Sequence, residues 1–301
     1  MNLEADRRML LTGGALVAAG LGLAACAKEP AMRTAQVTPL SGYAPIDGIR
    51  VYYEVHGGPL TLDTTPLVLL HGGMLAIETG FPKGFIDRFA AKRPVIAIEQ
   101  QGHGHTGDRP GTITIELMLN ETAGVLRHLN VSRAHFMGHS MGGMITTGMA
   151  IRHPDLVASA TPMAAGYTLE GYLPELVLMQ RDPTHQPSPE LVPLLPTEAD
   201  FNSWQEHYKR ANPNPDGMMG VLERMNTMLA NWPGWTESEL AGIRAPVLVM
   251  IGDNDFIRVE HAAEMKRMIP GAWLSVLPDT MHMSLLDRGD WIQSMFEARV
   301  A

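Results

Sequence analysis

Residues 138–143 read GHSMGG, a single hydroxyl set among glycines. An apolar run precedes them and a helix-forming stretch comes after, so Ser140 falls where a strand must turn sharply into a helix. Gly138 and Gly142 leave room for that corner, and the serine oxygen projects from the strand end. A serine hydroxyl is a weak nucleophile at neutral pH and needs a base, which in turn needs an orienting partner. Two later stretches offer these groups. IGDNDFIRVEHA ends one apolar run and carries Asp253 and Asp255; LPDTMHMSLL ends the next and carries His282. Of the 12 histidines, only His282 lies after the last strand-like run. Asp253 and Asp255 are both available as the acid, although an aspartate in such a turn also serves simply to accept backbone N–H bonds. This chemistry builds negative charge on an oxygen of the substrate. The Met141 N–H, first in the helix after Ser140, is suited to face it, because the helix N-terminus favours negative charge.

These groups need a frame. IRVYYEVHG (49–57) has strand character, and continuous apolar runs recur in 66–73, 93–107, 134–143, 245–255 and 272–282. Uninterrupted runs of this kind suit strands buried on both faces. Helical patterns lie between them at about 114–130, 141–153, 258–269 and 284–298. The alternation predicts an α/β fold with a mostly parallel central sheet flanked by helices. Residues 166–240 break the rhythm, being far longer than a simple crossover needs. They contain helical pieces at 172–180 and 216–229 and are expected to form an inserted helical lid, leaving 46–165 and 241–301 as the core.

The pattern Gly138-His139-Ser140-Met141-Gly142 fits G-x-S-x-G between strand and helix. With Ser, Asp and His in that order, residues 45–298 resemble the α/β-hydrolase family. The resemblance implies a triad of Ser140, Asp255 and His282, because the family's acid stands at the last position of a G-x-x-D turn. From the loop HGGM (71–74) it implies an oxyanion hole of Gly73 and Met141, with Met74 as the alternative to Gly73, and His71 as a brace for the loop. The stretch IAIEQQGHGHTG resembles a family segment that usually reads D-x-x-G-x-G-x-S; here Glu99 and Thr106 replace its Asp and Ser. The activity implied is that of a serine hydrolase cleaving an ester or lactone through an acyl-enzyme. Carbon–carbon bond hydrolases of ring-cleavage products, cofactor-free perhydrolases and amidases use the same triad. A non-catalytic binding protein on this scaffold is the alternative from another class. Serine at 140 argues against the dehalogenase and epoxide hydrolase relatives, which need a carboxylate there.

Composition narrows the partners. The chain has 301 residues, a formal net charge of -9 and no Lys/Arg-rich run, which argues against nucleic acid. No dinucleotide or Walker pattern succeeds a strand, and His103 and His105 lack the carboxylates of a metal site, so neither cofactor nor metal is expected. The expected partner is a small, partly apolar molecule. There are 21 methionines, suited either to filling irregular core or to lining an adaptable pocket. At the start, Arg7-Arg8 precedes an apolar stretch from Met9 to Ala25, which reads as a removable signal (1–25) rather than a membrane span. It resembles a twin-arginine export signal, and Leu23-Ala24-Ala25-Cys26 resembles a lipobox. That resemblance implies lipid attachment at Cys26, membrane anchoring and an exported bacterial lipoprotein. Residues 26–45 lack periodicity and are expected to be a tether.

Overall fold

In the computed structural model, residues 39–301 are described, apart from Leu62 and Pro183. Cys26, the signal-like segment and the first part of the expected tether lie outside them. The strands are β1 (Leu40–Ile46), β2 (Ile49–His56), β3 (Leu67–Leu70), β4 (Val95–Ile98), β5 (Ala134–His139), β6 (Val157–Met163), β7 (Leu248–Gly252) and β8 (Trp273–Leu277). The helices are α1 (Ile77–Gly80), α2 (Phe85–Ala90), α3 (Ile115–His128), α4 (Met141–Arg152), α5 (Pro174–Arg181), α6 (Glu198–Ala211), α7 (Met218–Asn231), α8 (Glu237–Ala241), α9 (Val259–Met268) and α10 (Gly289–Val300).

The strands form one sheet in the order β1-β2-β4-β3-β5-β6-β7-β8. It is parallel from β4 to β8, and β2 pairs antiparallel with both β1 and β4. The expected mostly parallel α/β sheet is therefore present. LVLL in β3 and VIAI in β4 are wholly buried, as strands covered on both faces must be. Alternate side chains serve opposite layers. Val68, Leu70, Ile96 and Ile98 join the core with Met118 of α3, Met144 of α4 and Met265 of α9. Leu67, Leu69, Val95 and Ala97 face Phe85 and Phe89 of α2 and Phe296 of α10.

One boundary is corrected. Residues 40–45, expected in the tether, belong to β1. Asp47 (φ 46°) and Gly48 (φ 86°) both adopt positive φ, the geometry of a two-residue hairpin turn that pairs β1 with β2. The Asp-Gly dipeptide was the available signal. Strand β6 had no sequence expectation, because Ser159, Thr161 and Pro162 interrupt its apolar character. It lies inside the sheet between β5 and β7, and all but one of its residues are buried.

Between β6 and β7 the chain runs through α5, α6, α7 and α8. Its two ends close on each other: the Trp235 N–H donates to Tyr167 O at 2.7 Å. Tyr167 also stacks on His261 of α9, with ring centres 3.9 Å apart. Further along, Asn212 Nδ2 donates to Gly104 O (2.9 Å) and Thr106 O (3.1 Å). Arg224 of α7 donates to Arg109 O at 3.0 Å and pairs with the Asp108 carboxylate. These bonds fix α6 and α7 against the loop after β4.

Candidate active site

Ser140 stands between β5 and α4 with φ 55° and ψ −118°. A non-glycine residue there costs on the order of 1–3 kcal/mol and persists only when its surroundings impose it. They do so here. The Ser140 N–H donates to Met163 O at 2.9 Å, and Ser140 O accepts from Gly143 N (2.8 Å) and Met144 N (3.0 Å). A Cβ on Gly142 would collide with the Leu70 carbonyl, and one on Gly138 with the Gly142 carbonyl. The glycines around the hydroxyl are thus required by backbone contact across β3, β5 and α4.

His282 and Asp255 meet as an enclosed pair. His282 Nδ1 lies 2.9 Å from Asp255 Oδ1, with the carboxylate side chain fully buried. The same oxygen accepts the Ile257 N–H at 2.9 Å, which holds the carboxylate in place. With Nδ1 committed to Asp255, Nε2 is the ring nitrogen left for a reacting group. Phe256 stacks on the imidazole with centroids 3.9 Å apart. Ser140 and His282 line one cavity, without a direct hydrogen bond between them in this structure. Such bonds often tighten only in the substrate complex.

Asp253 does different work. It is exposed, and its Oδ1 accepts the Thr280 N–H at 3.0 Å. The Asn254 N–H reaches Thr280 O at 3.0 Å. Asp253 thus ties the turn after β7 to the turn carrying His282, and backbone N–H groups hold its carboxyl below the usual range.

The loop after β3 lies against the elbow, and a Cβ on Gly72 would sit 3.4 Å from Ser140 Cβ. Gly73, Met74 and Met141 all line the cavity. Met74 adopts φ 63°, and the Met225 terminal methyl occupies the space that a Cβ on Gly73 would need. The first-turn N–H groups of α4, Met141 included, have no helical acceptor. His71 is bonded at both nitrogens. The Gln100 N–H donates to Nε2 at 3.1 Å, so Nδ1–H donates to Gly72 O at 2.8 Å. This fixes one tautomer and clamps the loop.

Beyond β4, Glu99 is buried and accepts N–H bonds from Ile77 (3.2 Å) and His105 (2.5 Å). Thr106 Oγ1 donates to Glu99 O and accepts from Tyr52 N, each at 2.9 Å. His103 binds the Gln101 carbonyl, and His105 binds Glu99. All four side chains are therefore engaged in shaping the loop.

His139 was not singled out from the sequence. Its Nε2–H donates to His282 O at 2.9 Å, bracing the loop that holds His282. Burial and the neighbouring His282 lower His139 to about 3, and burial and His103 lower His71 to about 3. An unfolded histidine takes up its proton near pH 6.5. The unfolded chain therefore binds protons that these two native side chains refuse. Their contribution is complete above pH 6.5 and is lost as pH falls toward 3. At pH 5 each is expected to cost on the order of 2 kcal/mol of stability. His105 works in the opposite sense: its hydrogen bond to Glu99 raises it, and that stabilisation fades as pH rises through its folded value. Urea midpoints at pH 7 and pH 5 check the balance. A clearly lower midpoint at pH 5 is expected, and equal midpoints would contradict it.

The cavity holds about 610 Å³, within the usual size of a small-molecule site. Its walls come largely from the β6–β7 insertion, including Leu176, Met179, Phe201, Trp204, Leu222 and Met225. No lysine or arginine lines it among the described residues, whereas Glu198 does. Its polar side chains are His139, Ser140, Tyr172 and His282, with Thr197, Glu198 and Asn226 from the insertion.

A family model described as "Alpha/beta hydrolase family" matches residues 67–292. The chain is 28% identical over 262 residues to the dihydrolipoyllysine-residue acetyltransferase component of an acetoin cleaving system from Cupriavidus necator. That match covers 82% of this chain and 66% of the relative, just under two thirds of its length. It is 25% identical over 285 residues to a proline iminopeptidase from Lactobacillus acidophilus, covering 83% of this chain and 94% of that one. Among solved structures, an enol-lactonase from Burkholderia xenovorans superposes with a TM-score of 0.67 at 21% identity. It covers 86% of this chain and 99% of that chain, and shows the shared fold.

Proposed function

The chain belongs to the alpha/beta hydrolase family, and from that premise we propose that it is a serine hydrolase acting on a neutral carboxylic ester or lactone through an acyl-enzyme. The observation that carries the proposal is one cavity holding both a strained Ser140 and a His282 whose far nitrogen is anchored on buried Asp255. Ser140 attacks the acyl carbon while His282 Nε2 takes its proton. Asp255 stabilises the resulting imidazolium and fixes its orientation. The carbonyl oxygen becomes an oxyanion facing the N–H groups of Met141 and Gly73, with Met74 adjoining. Each such donor is worth about 3 kcal/mol in the transition state. His282 then protonates the leaving oxygen. A water molecule, deprotonated by the same imidazole, releases the acid and restores Ser140. The β6–β7 insertion acts as a lid that excludes bulk water from these steps.

The lining bears on the class of bond cleaved. The cavity is mainly apolar, and an anionic substrate would meet Glu198 and no cation. This favours a neutral ester over the carboxylate-bearing substrates of ring-cleavage hydrolases. The relatives support acyl chemistry in general: one is named as an acetyltransferase component, one as an iminopeptidase and one as an enol-lactonase. Residues 1–26 support the further proposal that the enzyme is exported and held at a membrane through Cys26. A panel of neutral esters, lactones, anilides and anionic vinylogous diketones tests the bond class. Esters or lactones should give the highest kcat/KM; a preference for the anionic diketones would overturn the assignment.

A further inference from the structure

A second cavity of about 310 Å³ lies on the other side of α7 from the catalytic one. Its walls include Ile113 and Ile115 at the start of α3, Thr227 and Met228 of α7, and Trp232 and Trp235. It is mainly apolar, and the Trp pair meets edge to face at 5.8 Å between centroids. Met228 is common to the linings of both cavities. The α7 core stripe is Met218, Val221, Met225 and Met228, so the shared residue is the final buried side chain of the stripe. The stripe's neighbour one turn earlier, Met225, lines the catalytic cavity alone and fills the space beside Gly73. The one lining residue common to the two spaces is therefore an unbranched thioether with three rotatable bonds, the side chain best able to change shape without moving the backbone.

We propose that Met228 is a gate that sets chain-length specificity, and that the second cavity receives the distal end of a long, uncharged acyl chain whose ester carbonyl lies at Ser140. The proposal rests on the hydrolase reading above for its reaction, but not for its binding. Rotation of Met228 joins the two apolar spaces and lets a chain too long for the first continue into the second. Each methylene buried there is expected to improve binding about fourfold. A cavity with this lining and no connection would instead be a surface recess with no bearing on substrate length.

The test compares wild type with Met228→Ala, Met228→Phe and Thr227→Trp on p-nitrophenyl esters from butanoate to tetradecanoate. The quantity read is the ratio of kcat/KM for the long esters to that for the short ones. Met228→Ala should raise the ratio tenfold or more, and Met228→Phe should lower it. Thr227→Trp is on the exposed face of α7 and lines the second cavity but not the catalytic one. It should fill that space and lower the ratio about tenfold. In parallel, methyl esters of the same lengths are titrated calorimetrically into Ser140→Ala protein carrying each substitution. The affinity gain per methylene should continue to longer chains with Met228→Ala and stop earlier with the two filling variants. If these binding profiles shift as stated while no ester is cleaved by wild type, the gate stands and the hydrolase reading fails. If chain-length profiles of all four proteins superimpose in binding, the gate is refuted whatever the activity.

Discussion

Ser140→Ala is expected to lower kcat on the best ester by roughly 10⁵–10⁶-fold, equivalent to about 7–8 kcal/mol of transition-state stabilisation. The substitution removes only the oxygen that forms the acyl-enzyme. Alanine accepts the φ 55° backbone as poorly or as well as serine does, and the bonds that impose the elbow use backbone atoms alone. The fold should therefore survive, with a urea midpoint close to that of wild type. The residual rate, measured at high enzyme concentration, reports what the cavity and oxyanion donors achieve without a nucleophile. His282→Ala should fall by a similar factor, and the double variant hardly further, because nucleophile and base act as one unit. Activity of Ser140→Ala within tenfold of wild type would remove this serine from the chemistry.

The second large effect separates two aspartates that lie two residues apart. Asp255→Asn is expected to reduce kcat by about 10⁴-fold. Asparagine can present its amide N–H to His282 Nδ1, which drives the ring proton to Nε2. The nitrogen facing Ser140 then cannot accept a proton, although nothing has changed in shape. Asp253→Asn retains an oxygen able to accept the Thr280 N–H. It should change kcat by less than about tenfold, the loss appearing mainly as a small drop in stability. Parallel kinetics of the two variants decide the assignment. The reverse order of effects would make Asp253 the acid and leave the 2.9 Å Asp255–His282 contact without a catalytic purpose.

The elements that hold this site differ in how plainly the chain announces them. Strands β3, β4 and β7 are apolar throughout because helices cover both faces, and β5 departs from this only at His135 and His139, so apolar runs mark them. Strand β6 is equally central but carries Ser159, Thr161 and Pro162, so no uninterrupted apolar run marks it. The β1–β2 hairpin was signalled by Asp47-Gly48, a local cue outweighed by the proline- and threonine-rich residues before it. Helix α6 is polar along most of its length and is held by Asn212 and by a Thr197–Asp200 capping box rather than by a broad apolar stripe.

The site shows the same division. Ser140 was legible because a strand, a nucleophile and three glycines must crowd into one corner. Asp255 and His282 were legible as strand-end residues in the right order. His139, Phe256 and Met225 were not, since each matters through a partner far away in the chain or in the fold: the His282 carbonyl, the His282 ring and the Gly73 loop. No periodicity records such encounters. The departures at Glu99 and Thr106 turn out to be internally consistent, with the longer carboxylate reaching the Ile77 and His105 N–H groups and the threonine hydroxyl bridging Glu99 O and Tyr52 N.

The most direct test of the central claim is covalent. The protein is incubated with an alkyl fluorophosphonate, which traps an activated serine as a stable tetrahedral adduct. Intact mass and peptide mapping then locate the label. One equivalent on the peptide containing Ser140, lost in Ser140→Ala and strongly slowed in Asp255→Asn, is the predicted result. A fully folded protein that stays unlabelled, or takes the label on another residue, would contradict an activated hydroxyl at the β5–α4 turn.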